Sequence, residues 1–396
     1  MPVRYSIAGS LILLLSLALT GDVYGQELEG RFYPDRSSYT LGEPLLFWIE
    51  IKNVGHEPVV LFEKGPGKCV DRFDFSVQRV SLQGNVSCSN TWDTKCGDKS
   101  YELKPGESYN ADWPLNFWYR IQQPGDFKAS LHRRVGVFAA NTGWKEFSLK
   151  SDFEFQVTAA DPAKVETVMR KFEADLQSKN PEVRHDALDV MATTAPPYME
   201  GTILRLAHAE DAFTVLHAVE GLALLDTPEA RAALAEVITT RHADGEHDTN
   251  ARCLAIQALG KSRDSGYLTM LAPYAEHVDT CESETTINAI ARLGQANAVG
   301  QLQAYLGSPK PKLRKNAAEG LRLTMAPEAV DALISALRDK DEDVRAQVSA
   351  SLTGLTGHSI GESASPLQAE NLWRSWWQTH RDIQLLEPPL DNICRL

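Results

Sequence analysis

Two periods divide the chain. From about residue 28 to residue 158 apolar and polar positions alternate, whereas beyond Ala159 the apolar positions recur at i, i+3 and i+4. In the first stretch, residues 44–53 are rich in aromatic and β-branched side chains and stop at the turn Asn53-Val54-Gly55. Residues 57–62 follow at once, as the partner strand of a hairpin would. Further strands are predicted over 72–80, 108–117, 127–138 and 145–157, separated by Gly65-Pro66-Gly67, Lys104-Pro105-Gly106 and Gln123-Pro124-Gly125. About seven short strands so punctuated predict an antiparallel β-sandwich. Residues 81–100, polar and carrying Cys88 and Cys96, are expected to form a long inserted loop.

At Ala159-Ala160-Asp161-Pro162 the pattern turns helical, with Asp161 placed to cap and Pro162 at the first helical position. A frame then repeats: Val183-Arg184-x-x-Ala187-x-x-x-Met191, Ala251-Arg252-x-x-Ala255-x-x-x-Leu259, Leu313-Arg314-x-x-Ala317-x-x-x-Leu321 and Val344-Arg345-x-x-Val348-x-x-x-Leu352. Weaker copies centre on Ala218 with Leu222 and on Ala289 with Leu293. From Ala187 onward the central small residues fall 31, 37, 34, 28 and 31 positions apart. Each copy is followed by a break and a second amphipathic segment, as at 228–240, 296–306 and 327–338. A helix pair of this size cannot bury its apolar face alone, so pairs stack into a solenoid with a continuous core. The small central residue permits close helix approach, and the Leu or Met four positions on fills the layer between pairs. After the last copy, Ser365-Pro366 begins a helix in which Leu372, Trp376 and Trp377 fall near one face, expected to cap the open end of the stack.

Both halves resemble known families. Tyr39-x-Leu41-Gly42-Glu43-Pro44, Asn53-x-Gly55 and Leu103-x-Pro105-Gly106-Glu107 resemble the immunoglobulin-like domains of exported bacterial proteins. The helical frame resembles HEAT-like repeats of the phycobilisome-lyase type over about residues 163–355, and the Trp-x-x-Trp-Trp segment is similar to the closing part of exported bacterial HEAT-repeat proteins. The resemblance implies an immunoglobulin-like β-sandwich followed by an α-solenoid that binds a protein partner.

Composition sharpens this picture. Of 396 residues, 43% are hydrophobic and 23% charged, enough to bury a sizeable core, and the net charge of −13 argues against a phosphate-binding surface. Arg4, the apolar run from Ile7 to Leu19 and Val23-Tyr24-Gly25 form a secretory signal, with cleavage expected after Gly25. No later stretch could cross a membrane, so the protein is expected to be exported, periplasmic or extracellular. The expected domains are a signal peptide over 1–25, a β-sandwich over 26–158, a solenoid of about six repeats over 159–355, and a loop, capping helix and tail over 356–396. In an oxidising compartment Cys253 and Cys281, near the starts of consecutive first helices, are placed to staple adjacent repeats. Further disulfides are expected among Cys69, Cys88, Cys96 and Cys394, whose connectivity the sequence leaves open.

The sharpest enzymatic signal is Gly357-His358-Ser359-Ile360-Gly361, which matches the nucleophile elbow G-x-S-x-G. An elbow needs a strand before the serine and an acid and a histidine well after it. Here a repeat helix precedes Ser359, and only His380, with Glu362 and Glu370, lies close behind. The run His242-Ala243-Asp244-Gly245-Glu246-His247-Asp248 concentrates potential metal ligands, but its spacing matches no metal motif and it sits where a polar connector between repeats is expected. His185-Asp186 falls on the side expected to be exposed. No nucleotide-binding glycine motif and no C-x-x-C occurs, and no cofactor or metal is expected. The reading is therefore a non-enzymatic exported scaffold that binds another protein through its solenoid. A second reading is carbohydrate binding by the β-domain through Trp92, Trp113, Trp118 or Trp144, and a third is a hydrolase built on Ser359.

Overall fold

The structure is a computed structural model that describes residues 21–23, 26–62, 64–65, 68–69, 72–80, 86–93, 100–117, 119–140, 143–240, 245–262, 264–360, 365–386 and 394–395. It divides into two units, residues 1–167 with 393–396, and residues 168–392. The proposed cleavage position after Gly25 lies outside the described residues, as do Cys96 and the side chains of Cys69, Cys88 and Cys394.

In the first unit the strands are β1 (Gly21–Val23), β2 (Gln26–Pro34), β3 (Ser38–Thr40), β4 (Leu46–Asn53), β5 (Val59–Phe62), β6 (Lys64–Gly65), β7 (Lys68–Cys69), β8 (Arg72–Val80), β9 (Val86–Asp93), β10 (Ser100–Leu103), β11 (Ser108–Pro114), β12 (Tyr119–Arg120), β13 (Gly125–Ala139), β14 (Gly143–Thr158) and β15 (Cys394–Arg395). One antiparallel sheet runs β1-β2-β4-β11. A larger one runs β10-β5-β13-β14-β3, with β8 also paired to β13 and β9 to β8. Its β14–β3 pairing is parallel. Phe32, Phe47, Ile49 and Ile51 from the first sheet share one buried core with Leu61, Phe127, Leu131, Phe147 and Phe155 from the second. The approach is close at Gly30 on β2, where a Cβ would meet Leu149 Cδ1 at 3.0 Å.

Two expectations are corrected here. Residues 57–62 do not form a hairpin with 44–53, because β4 pairs with β2 and β11 while β5 pairs with β10 and β13 in the other sheet. Asn53 makes the crossing. Its side chain is buried and donates to Glu57 O at 2.8 Å and Leu103 O at 2.9 Å, while its Oδ1 accepts from Gly55 N at 3.0 Å. The backbone N–H of Gly106, at φ +84°, donates to Asn53 O at 2.7 Å, and Asn53 N donates to Glu107 O at 2.9 Å. The second correction concerns 81–100, which holds a strand: β9 pairs antiparallel with β8. Its apolar residues Val86, Cys88 and Trp92 do fall on alternate positions, but Asn90 interrupts them and polar residues fill the rest of the strand.

The Tyr39–Pro44 segment is fixed in the same manner. Tyr39 is buried, its hydroxyl donates to Asp35 Oδ1 at 2.5 Å, and Gly42 takes φ +93°. Burial pushes both the Tyr39 phenol and the Asp35 carboxyl above their usual values. Glu43, fully buried, accepts from Arg36 Nη1 at 2.9 Å.

The helices are α1 (Pro162–Asp175), α2 (Pro181–Thr194), α3 (Glu200–Leu206), α4 (Ala212–Leu225), α5 (Pro228–Thr239), α6 (Gly245–Lys261), α7 (Leu268–Leu271), α8 (Cys281–Gly294), α9 (Val299–Leu306), α10 (Pro311–Thr324), α11 (Pro327–Ala336), α12 (Glu342–Thr356) and α13 (Pro366–Thr379). From α2 to α12 long first helices alternate with shorter second ones, and consecutive first helices pack directly on each other. The central residues Ala187, Ala218, Ala255, Ala317 and Val348 are wholly buried, as are Met191, Leu222, Leu259, Leu321 and Leu352 one turn later. Close approach is real: a Cβ on Gly260 of α6 would lie 2.7 Å from Ala289 Cβ of α8, and one on Gly320 of α10 would lie 2.5 Å from Ile287 Cγ2. The first helices α2, α4, α10 and α12 each end on a left-handed residue: Ala195, Asp226, Met325 and Gly357. This shared turn reverses the chain into the second helix. Trp373 and Trp377 of α13 are buried in one core with Leu352 and Leu355.

Candidate interaction surface

Polar ties between successive first helices follow the repeat register. In two of these ties the residue one before the central position of one repeat reaches the residue two after it in the preceding repeat. His217 thus meets Asp189 Oδ1 at 3.0 Å, and Gln347 Nε2 donates to Glu319 Oε2 at 3.0 Å. The arginine of the frame serves the connectors. Arg314, buried, donates from Nε and Nη2 to the Asp339 carboxylate at 2.7 and 2.8 Å and from Nη1 to Ser308 O at 2.9 Å. Arg345 Nη1 donates to Asp339 O at 2.8 Å. Bidentate contact with Arg314 holds the Asp339 carboxyl below its usual range. Arg252 Nε donates to Glu282 Oε1 at 2.6 Å and its Nη1 pairs with Asp248, both carboxylates being buried. Burial alone would raise the Glu282 carboxyl, but Arg252 and His277 outweigh it and lower its pKa.

Cys253 on α6 and Cys281 on α8 are joined by a disulfide, with Cα atoms 6.1 Å apart. Arg252 and Glu282, each next in sequence to one of these cysteines, place an ion pair beside the covalent bond. The ligand-rich run is divided. Residues 241–244 lie outside the described residues, whereas 245–248 form the first turn of α6 and are not the connector expected. Asp248 is committed to Arg252, an i,i+4 pair that the helix itself creates.

The N-terminal first helices also carry an aromatic and imidazole cluster. Phe213 on α4 is half-buried, with the rings of His185 on α2 at 4.4 Å, His217 on α4 at 4.3 Å and His247 on α6 at 5.7 Å. His185 is exposed, as its register predicts. His217 Nδ1 faces Phe213 O at 2.8 Å and Nε2 faces Asp189 Oδ1, so both ring nitrogens meet acceptors, which only the imidazolium satisfies. Burial opposes that charge, yet Asp189 and the Phe213 carbonyl hold the His217 pKa above its ordinary value. Glu220, two after the central Ala218, faces a frame whose corresponding residue is the apolar Leu254. Burial, only partly offset by His217, raises its carboxyl.

These two shifts act in one direction. A raised histidine stabilises the fold fully below its unfolded pKa, and that contribution is lost as pH rises through the folded value. A raised carboxyl costs stability once pH climbs above the unfolded carboxylate range. The array is therefore expected to melt at a higher temperature at about pH 5.5 than at about pH 8. Glu220→Gln and Asp189→Asn should each flatten the difference, as followed by circular dichroism. A melting temperature that rises with pH over this window would contradict the assignment.

Ser359 stands on an exposed segment after α12, not after a strand. Gly357, at φ +71°, ends that helix by donating its N–H to Thr353 O at 2.8 Å. The His358 ring stacks on Trp376 at 4.2 Å and 5°, and that of His380, the histidine available to a hydrolase site, stacks on the same tryptophan at 4.6 Å and 11°. Gly361 and Glu362 lie outside the described residues. Of the four tryptophans proposed for carbohydrate, Trp118 and the side chains of Trp92 and Trp113 lie outside the described residues, and Trp144 is exposed.

Residues 282–353 match the family model for HEAT repeats. The helical unit carries HEAT repeats. No curated protein matches the chain. Solved structures similar to it include an engineered protein at 19% identity, covering 46% of this chain and 94% of that one with a TM-score of 0.31. The CpcE–CpcF complex of phycocyanin lyase from Nostoc sp. PCC7120 is similar at 17% identity, over 54% of this chain and 84% of that one, TM-score 0.30. Human deoxyhypusine hydroxylase in complex with glycerol is similar at 15% identity, over 56% of this chain and 100% of that one, TM-score 0.26.

Proposed function

We propose that the protein is an exported, non-enzymatic scaffold that binds a protein partner on the first-helix face of its HEAT-repeat array. The observation that carries this reading is the Phe213 cluster. A half-exposed aromatic ring, bordered by three imidazoles from three successive first helices, forms the kind of aromatic centre with a polar rim that protein interfaces use. Stacked repeats extend such a face over several helices, which suits a large partner. The disulfide between Cys253 and Cys281 supports an oxidising compartment and hence export. Two sheets, antiparallel except for the β14–β3 pairing, share one core and support the immunoglobulin-like sandwich, and the buried Trp373 and Trp377 support α13 as the cap of the array. The occupied rings of His358 and His380 support a structural role for the segment around Ser359.

The test is co-purification of the full chain from the exported fraction of its native host. The stoichiometric partner should be retained about tenfold less by Phe213→Ala, with His185→Ala intermediate and melting temperatures unchanged. Retention independent of both substitutions would refute this surface.

A further inference from the structure

The outward face of the β13–β14 ribbon is polar along most of its length and aromatic at one end. On both strands the even-numbered residues point away from the core. Along this face His132 Nε2 and Ser148 Oγ lie 2.7 Å apart, and Arg134 pairs with Glu146 at 3.8 Å. The row then ends in Phe138 directly opposite Trp144. Phe62, on β5 opposite Gly136, brings its ring to 4.4 Å from Trp144, whose ring lies 5.9 Å from Phe138. Trp144 remains 41% exposed and Phe138 36%.

The geometry points to this aromatic end as a stacking platform for the pyranose rings of a neutral saccharide. Size decides against a folded partner or a second copy. A stable protein interface needs roughly 800 Å² and about 20–30 residues a side, whereas three rings offer a patch on the scale of one or two sugar residues. The chemistry of the surroundings decides for a sugar. A pyranose presents axial C–H groups to the electron-rich face of an aromatic ring and hydroxyls around its rim. Here the rim is supplied on the same sheet face by Glu146 with Arg134 and by Ser148 with His132, which offer acceptors and donors in paired, charge-balanced form. Gly136, opposite Glu146, adds no side chain between the rings and this polar row. The balance of charge favours a neutral ligand over an acidic one.

Full-length protein titrated with cellohexaose, hexa-N-acetylchitohexaose and xylohexaose should show saturable quenching of tryptophan fluorescence with at least one of them. Trp144→Ala should weaken that binding about tenfold and Trp144→Phe less, with the melting temperature of each variant unchanged. Polygalacturonate should bind more weakly than the best neutral probe. The proposal is overturned if none of the three neutral probes binds, or if Trp144→Ala binds as tightly as the parent. A concentration-dependent dimer abolished by Trp144→Ala would overturn it too, since the rings would then be covered by a second copy.

Discussion

Replacing Arg252 with alanine is expected to cost the helical unit about 3–5 kcal/mol. Arg252 stands between two buried carboxylates, Glu282 on the next first helix and Asp248 on its own. Its removal leaves Asp248 without its i,i+4 partner and Glu282 with the His277 ring, Nδ1 at 2.5 Å, in place of a guanidinium. Uncompensated buried charge is among the few causes of single-residue losses this large. Guanidinium denaturation of the full chain should show the loss, most of it recovered near pH 4, where the stranded carboxylates take up protons. The triple variant Arg252→Met, Asp248→Leu, Glu282→Leu should regain much of the stability at neutral pH, because a packed apolar trio replaces the ion network without its desolvation cost. A loss below about 1 kcal/mol would show that the pair behaves as a surface ion pair.

The second large effect is expected at Asn53. Asn53→Ala removes two donated hydrogen bonds and one accepted one at a buried position, leaving Leu103 O and Glu57 O without that donor. At about 1–3 kcal/mol for each buried group left unsatisfied, partly relieved by water entry, the β-unit should lose roughly 2–4 kcal/mol. Asn53→Asp should also be destabilising, since a carboxylate cannot donate to the two carbonyls. Both are read from urea unfolding followed by tryptophan fluorescence. An Asn53→Asp variant as stable as the parent would show that the two donated bonds contribute little.

These two sites mark how far the sequence alone could be read. The repeat frame was legible because its apolar positions have local reasons: a small residue where helices touch and a long apolar one where the layer must be filled, whereas the ties made by its arginines came from the structure alone. Spacing alone also brought Cys253 and Cys281 to adjacent first helices. Asn53-x-Gly55 and Leu103-x-Pro105-Gly106-Glu107 were both legible as turns, but not that they bond to one another across 50 positions of chain. The hairpin expected of 44–53 and 57–62 failed for that reason, since a tight turn and a crossing between sheets share the same residues. β9 escaped notice because its period-two apolar positions, Val86, Cys88 and Trp92, are interrupted at Asn90 and sit in an otherwise polar stretch. The Phe213 cluster was not legible at all. His185, Phe213, His217 and His247 stand two, five, one and eight positions before the central residues of three different repeats, and they meet only after the helices stack. Trp144 was visible as an aromatic residue, but its neighbours Phe62 and Phe138 come together only through the register of three strands.

On the proposed function, the HEAT array holds its partner on the face built by its first helices. Site-specific photo-crosslinking in the native host tests it most directly, with the reactive side chain placed in the full chain at position 185, at 213, or at 384 after α13. One discrete cross-linked protein is expected from positions 185 and 213, none from 384, with loss of the product when unlabelled protein is added in excess. Cross-linking from 384 to the same partner, with none from 185 or 213, would contradict it.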